Sequence, residues 1–444
     1  MKRITVVNCS LDVVNCRAEK CGVEGDGDGA KLVFPGASMT LELPSFRVGL
    51  VLTPQSVTEK SSSVDEKWSV APTGFSVRGP LALGAMWKEV PVPGQCPWIM
   101  YRIKVSRKHH RVLVLPRRDT SCFLKHIPDR VPLSCVTLPG THDTMAFYGW
   151  PVSQCQSLDT PLAVQLASGI RVLDIRLAVK DNRLMAYHGL YPQKASFQDI
   201  LAVIHAFLTA EKTKRETVVM SIKQEDFATV RSEHFSQLVH DEIASGPGGR
   251  AMWYLDNRVP ALGEVRGKVV MFSRFGGDGD GWEGGLEGLG IHPTTWPDSA
   301  REGFSWECKN TVVRTHDWYS IPSFLYIPEK TALATQILLP PPGDPPTPSL
   351  AITFFSASSF PLASPPTVAR GFGWPKLGFG VEGVNSRAAQ WFMKMLAEGT
   401  GESKEPRIRG WALMDFYDDP EKALVPLLIE CNFRGRVRGE EGWM

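Results

Sequence analysis

The sequence predicts an α/β protein: a TIM-type βα barrel, distorted where a connection lacks a helix, preceded by a smaller all-β domain. Three observations carry that prediction. Residues 1–130 alternate apolar and polar side chains with period two and hold no good amphipathic helix. From residue 131 to 444, short apolar strands alternate with helical patterns. A chain of 444 residues is also too long for one ordinary core, yet it suits a barrel of roughly 250–300 residues with a second unit beside it.

In the first region "MTLELP", "WIMYRIKV" and "RVLVLP" are strand candidates separated by Pro and Gly. "WIMYRIKV" puts Ile99, Tyr101, Ile103 and Val105 on one face and Met100, Arg102 and Lys104 on the other, as expected in a sandwich. Its basic turn, Lys104 to Arg111, is read as a solvated hairpin tip, with anionic lipid as the alternative contact. Eight strands are expected in the barrel. The first four are "LSCVTL" (Leu133 to Leu138), "IRVLDIRL" (Ile170 to Leu177), "RLMAYH" (Arg183 to His188) and "TVVMSIK" (Thr217 to Lys223). The rest are "KVVMFS" (Lys268 to Ser273), "TVVRTHD" (Thr311 to Asp317), "LAITFFS" (Leu350 to Ser356) and "GWALMDF" (Gly410 to Phe416). Between them, Phe197, Ile200, Leu201, Ile204, Phe207 and Leu208 share one helical face. A second helix starts near Asn385, read as its cap, and stops at Gly399.

Composition narrows the function classes. A net charge of +2 gives no electrostatic case for a nucleic-acid partner. The nine cysteines are scattered without a CxxC pair, so a zinc ribbon is not expected, and buried thiols in a reducing compartment are. The apolar run at the N-terminus is broken by Asn8, Ser10 and Asp12, a poor signal peptide. With no long apolar window, a cytoplasmic protein acting peripherally at membranes is expected. The Gly-Asp-Gly-Asp-Gly runs at Gly25–Gly29 and Gly277–Gly281 fit a calcium loop poorly: the second has Gly276 where the first ligand belongs.

A barrel of this kind carries its chemistry at the C-terminal ends of its strands. Those ends hold His142 and Asp143, Asp174 and Arg176, His188, Lys223 and Glu225, Arg274, Asp317 and Asp415. Charged groups in apolar strands are costly unless they converge and pair, so these are expected to surround one anionic substrate. Two histidines with carboxylates suit general acid–base cleavage of a phosphodiester, and an arginine offers the phosphate a two-pronged donor. In Asp174-x-Arg176 the arginine occupies the place where a second carboxylate would favour a hard metal, so no metal and no cofactor are expected.

At this point the motifs "LPGTHDT", "CQ…PLAVQLASGIRVLDIR", "LMAYHG", "VVMSIKQE", "GKVVMFSRF", "HDWYSIP" and "GWALMDF" resemble the X-domain barrel of phosphatidylinositol-specific phospholipase C, most closely its bacterial and fungal metal-independent branch. The resemblance runs from about Leu133 to Cys431. It implies cleavage of a phospholipid substrate to diacylglycerol and inositol 1,2-cyclic phosphate. By the same resemblance His142 is the base, His188 the acid, Arg176 the phosphate ligand, and Asp143 and Asp415 the carboxylates serving the acid and the base. Asp174 matches the acidic residue two before the arginine. Lys223, Glu225, Arg274, Asp317 and Tyr319 match the inositol pocket. His316, beside Asp317, is the departure from the family pattern and is read as a bystander. Aromatics in the strand-end loops, among them Trp150, Trp318, Phe360 and Trp374, fit either rim packing or a membrane surface. Two alternatives stay open: a metal-dependent glycerophosphodiester or sphingomyelin-type phosphodiesterase, and a lipid-binding protein without turnover.

Overall fold

The computed structural model describes residues 2–20, 31–43, 48–55, 75–77, 81, 85–226, 229–279, 286–341, 343, 348–375, 379–398 and 405–443. The Gly25–Gly29 run, Cys21, Gly399 and parts of the Gly277–Gly281 and Pro-rich segments lie outside them. The chain divides into two compact units, the first made of residues 1–118, 374–379 and 390–406.

In the first unit the strands are β1 (Lys2–Asn8), β2 (Val13–Lys20), β3 (Lys31–Val33), β4 (Ser38–Leu43), β5 (Val48–Gln55), β6 (Phe75–Val77), β7 (Trp87–Glu89), β8 (Trp98–Ser106) and β9 (His109–Pro116). They form two sheets, ordered β4-β1-β9-β8-β7 and β3-β2-β5-β6. One apolar cluster draws on both, with Ile4, Val6, Val14, Leu50, Leu52, Trp98, Met100, Val112 and Val114 at its centre. On β8 the expected apolar face is overturned: Trp98 and Met100 enter that cluster, while Val105 is half exposed. Tyr101 and Ile103 are buried as well, so β8 is covered on both faces and simple alternation misassigns it.

The second unit holds β10 (Leu138–Thr141), α1 (Leu162–Ser168), β11 (Val172–Lys180), β12 (Arg183–His188), β13 (Tyr191–Ser196), α2 (Phe197–Thr209), β14 (Val218–Gln224), α3 (Ser232–Ser245), β15 (Trp253–Tyr254), β16 (Val269–Arg274), β17 (Phe304–Cys308), β18 (Thr311–His316), α4 (Ile327–Gln336), β19 (Ser349–Phe354) and α5 (Pro365–Arg370). A two-stranded ribbon, β20 (Gly371–Trp374) with β21 (Phe379–Glu382), leads to α6 (Val384–Glu398), whose residues from Gln390 on count with the first unit, and then to β22 (Trp411–Met414) and α7 (Leu424–Cys431). The main sheet runs β15-β16-β14-β11-β10-β22-β19-β18-β17 and curls, parallel throughout except for the β17–β18 edge. Its two ends, β15 and β17, do not pair among the described residues, leaving a seam between them.

Two strand expectations need correction. Leu133–Cys135 is a single 3-10 turn, and the first strand begins later, at Leu138. "RLMAYH" is not a further parallel strand but folds back antiparallel on β11 through Asp181 and Asn182, whose φ values are 50° and 57°. Asp and Asn tolerate that left-handed pair, which sets a two-residue hairpin. On β10, Gly140 is required by close approach: a Cβ there would stand 2.8 Å from the Val172 Cβ. Helix α2 forms as its periodicity predicts, capped by Ser196, whose hydroxyl accepts from the Asp199 amide. Asn385 is not a cap; it lies inside α6.

Beneath the sheet Arg171 and Glu216 form a fully buried pair, Nη2 to Oε2 2.9 Å. Arg171 also donates to the carbonyls of Leu166, Ile170 and Ser121 at 2.8 Å each. Removing one partner leaves the other charge buried and unpaired, so Glu216→Leu is expected to cost about 3–5 kcal/mol in denaturant unfolding.

Candidate active site

The strand ends of the second unit converge on a cleft of about 730 Å³, lined by His142, Arg176, Lys223, Arg274, Trp296, Asp317 and Tyr319 among others. Asp143, Asp174, Glu225 and Asp415 bind the liners directly, and His188 is joined to them through Asp143, with its ring edge-on to that of His142.

Strand β10 delivers two adjacent residues to the same place, which alternation alone would forbid. Asp143 adopts φ 41°, a left-handed conformation that Asp accepts more readily than most residues, and its amide donates to Asp174 Oδ2 at 3.1 Å. The strand thus turns just after His142, and both side chains face the cleft region. Gln156 fixes the turn by donating to the carbonyls of His142 and Met414, at 2.8 and 3.0 Å. On β22, Phe416 repeats the device with φ 44°, and Asn385 donates to the carbonyls of Asp415 and Phe416 at 2.9 and 3.0 Å.

Two histidine–carboxylate pairs result. His142 Nδ1 lies 2.8 Å from Asp415 Oδ1, and its Nε2 lies 2.7 Å from Arg176 Nη2. Arginine can only donate, so Nε2 accepts and the ring proton sits on Nδ1, directed at Asp415. His188 Nδ1 stands 2.9 Å from Asp143 Oδ2 and 2.8 Å from the Ser153 carbonyl, leaving its Nε2 as the free nitrogen. Burial opposes charging His188, but the Asp143 carboxylate outweighs it and raises the imidazole above its ordinary value. Burial likewise pushes Asp143 up, and the charges of His188 and Arg176 overcome it, so the carboxylate is held low. The two rings are 6.4 Å apart and nearly perpendicular.

Arg176 is the hub. Its guanidinium reaches Asp174 at 3.2 Å, Glu225 at 3.4 Å and Asp143 at 3.6 Å, and these charges outweigh burial and keep it ionised. Asp174 is fully buried, yet Arg176 and Arg274 hold it ionised; Arg274 Nη1 is 3.6 Å away. Lys223 bridges to Glu225 at 3.3 Å, and the charge of Arg176, then burial, lowers its pKa. Asp317 accepts from Trp296 Nε1 at 3.0 Å, and Arg274 lies over the Trp296 ring, 4.1 Å from its centroid. The Tyr319 ring stands 5.6 Å from that of His142. His316 does not line the cleft; burial drives its pKa down to about 3.

Sequence reasoning gave no site role to Cys155, Gln156 or Trp296, read Asn385 only as a helix cap, and took Glu225 for a pocket residue, whereas that carboxylate holds both Arg176 and Lys223. Trp318 is corrected: it is 5% exposed and packed edge-on against Tyr326, so it cannot belong to an exposed rim. Trp150, Phe360 and Trp374 are 72%, 64% and 71% exposed.

Residues 132–275 match the family model described as phosphatidylinositol-specific phospholipase C, X domain. A 1-phosphatidylinositol phosphodiesterase of Listeria monocytogenes is 34% identical over 165 residues, covering 35% of this chain and 49% of that protein. One of Staphylococcus aureus is 29% identical over 161 residues, covering 35% and 51%. The chain thus spans about half the length of these curated relatives. In fold, a solved S. aureus phosphatidylinositol-specific phospholipase C superposes with a TM-score of 0.53 at 21% identity, over 71% of this chain and 98% of that one. Residues 132–275, which supply both histidines, Arg176 and most of the carboxylates around it, are therefore the part of the chain similar to the X domain of phosphatidylinositol-specific phospholipase C.

Proposed function

We propose that this chain is a phosphoric diester-cleaving enzyme that splits phosphatidylinositol-type phospholipids into diacylglycerol and inositol 1,2-cyclic phosphate without a metal. The observation that carries the reading is the pair of buried histidine–carboxylate couples on either side of one arginine. His142 Nε2 takes the proton of the inositol 2-hydroxyl, whose oxygen attacks phosphorus. The bond from phosphorus to the glycerol oxygen breaks, and His188 Nε2 delivers a proton to that oxygen. Asp415 and Asp143 orient the two imidazoles, and Arg176 meets the phosphate charge as it grows. Lys223, Glu225, Arg274 and Asp317 bond the inositol hydroxyls, with Tyr319 against the ring. The guanidinium already fills the space among Asp143, Asp174 and Glu225, which favours metal-independent chemistry over the glycerophosphodiester and sphingomyelin alternatives.

The N-terminal strands are read as a separate β-domain (1–130) ahead of the catalytic barrel (131–444). Exposed Trp150, Phe360 and Trp374 suit transient contact with lipid headgroups, where aromatic rings settle. No helix among the described residues is long and apolar enough to cross a membrane, and eight of the cysteines are free thiols, which fits a cytoplasmic, peripheral protein.

The decisive assay incubates the protein with phosphatidylinositol vesicles, with and without EDTA, and follows the products by phosphorus NMR. Cyclic inositol phosphate should form in both. No product would sink the enzyme reading, and product lost only with EDTA would favour a metal-dependent route. A pH profile assigns the acid. His188 must be protonated to act, so the rate should fall as pH rises through its raised pKa. Asp143→Asn removes the main cause of that elevation, and the alkaline limb should move to lower pH; a limb that stays put would exclude His188 as the acid.

A further inference from the structure

We infer that Asp143, Cys155 and His188 form a binding site for a thiophilic divalent cation, zinc being the prototype, and that an ion bound there switches the active site off. The inhibitory part rests on the function proposed above; the binding part does not.

Cys155 is completely buried, and the acid–base scheme gives it no task. Its loop is pinned at both backbone groups: the amide donates to the Ala146 carbonyl at 2.9 Å, and the carbonyl accepts from the Phe416 amide at 2.8 Å. This holds the sulfur between the two histidine couples. The donor atoms of Asp143, Cys155 and His188 all lie within 4.8 Å of one another, as do those of His142, Cys155 and Asp415. The first set includes His188, whose Nδ1 adjoins the sulfur. Cys155 Sγ is 3.7 Å from His188 Nδ1. A tetrahedral zinc with Zn–S about 2.3 Å and Zn–N about 2.0 Å keeps its sulfur and nitrogen about 3.5 Å apart. Asp143 Oδ2 is 2.9 Å from the same nitrogen, buried, and accepts no aligned hydrogen bond. An oxygen in that state is a ready third ligand, and the fourth position falls to water.

The donor set selects the ion. One thiolate, one imidazole and one carboxylate suit zinc or cobalt, whereas magnesium and calcium prefer oxygen ligands throughout. On binding, the Cys155 thiol and His188 Nδ1 each release one proton to solvent, and no electrons move. His188 keeps its Nε2 proton but is no longer an imidazolium, and Asp143 no longer orients it. Proton delivery to the leaving oxygen then fails. Because the sulfur also adjoins His142 and Asp415, one ion disturbs both couples.

The test uses the full chain stripped with chelator. Zinc is titrated into the phosphatidylinositol assay, with each protein's rate expressed relative to its own chelated rate. Wild type should be inhibited by zinc but not by equal magnesium. Cys155→Ser should raise the zinc needed for half-inhibition by at least about 100-fold, beyond the 10–100-fold typical of losing an outer-shell partner. Without substrate, cobalt(II) should give a thiolate-to-metal charge-transfer band in wild type that Cys155→Ser abolishes. Should that variant not fold, Asp143→Asn carries the same measurement and should weaken cobalt binding. A wild-type spectrum without the thiolate band, or a folded Cys155→Ser with unchanged zinc affinity, overturns the inference. A cobalt band lost with Cys155 in a protein that never cleaves phosphatidylinositol would leave the metal site standing and remove the proposed function instead.

Discussion

Asp415→Asn is expected to slow phosphatidylinositol cleavage about 10²- to 10⁴-fold, close to the loss on deleting the base outright with His142→Ala. The reason is the tautomer. With Asp415 as a carboxylate, the His142 ring proton is held on Nδ1 by the 2.8 Å contact, and Nε2 keeps the lone pair the base needs. An asparagine can place its amide N–H against Nδ1, which moves the ring proton to Nε2 and turns the base into a donor. The change is isosteric, and Asn385 still anchors the backbone at residue 415, so the fold should be unaffected. Because the two groups act as one unit, the double variant should be hardly slower than either single one. Near-wild-type kcat in Asp415→Asn would refute the orientation of the base; full turnover in His142→Ala would refute the base itself.

Arg176→Lys is expected to lower kcat about 10²- to 10³-fold while the protein stays folded, and Arg176→Met to lower both activity and stability. Lysine keeps a positive charge among Asp143, Asp174 and Glu225, so the buried carboxylates remain compensated. What it loses is the planar fork that can address a phosphate and a carboxylate together. Methionine removes the cation the three carboxylates share and leaves them only Arg274, Lys223 and His188 at their edges, a loss of about 3–5 kcal/mol in unfolding free energy on the scale of broken buried pairs. Thermal unfolding beside kcat separates the two outcomes. A lysine variant as active as wild type would mean the phosphate is met by another cation, with Lys223 and Arg274 the nearest choices.

How far sequence alone reached differs by element. The catalytic strands were legible because charged residues at the ends of apolar runs are rare and had to converge. Helix α2 was legible because its apolar spacing and its Ser–x–x–Asp start agree. The third strand was misplaced although the signal was present: Asp181-Asn182 between two β runs marks a tight hairpin, and the βα rhythm overrode it. Strand β8 was misread because burial on both faces erases the contrast that period-two reasoning needs. Cys155 and Asn385 escaped for a different reason. Their importance comes from contacts spanning 30 to 33 residues, with His188 and with the backbone at 415–416, and no local pattern encodes such a partner.

The seam between β15 and β17 has a consequence for how this site can change over evolutionary time. Chain running from β16 to β17 supplies His292, Thr294, Thr295, Trp296 and Asp298 to one wall of the cleft. Among the described residues it is tied to the sheet on one side by the bridge of Phe272 with Ile291 and on the other by the Ala300 amide, which donates to the Asp317 carbonyl, and by β17. Both histidines and Arg176 hang from strands elsewhere in the ladder. Insertions or exchanges around residues 293–299 can therefore reshape the space offered to a headgroup with little loss of ladder hydrogen bonding and no displacement of the acid or base. Selection can act on what the cleft admits separately from what it does to a phosphodiester.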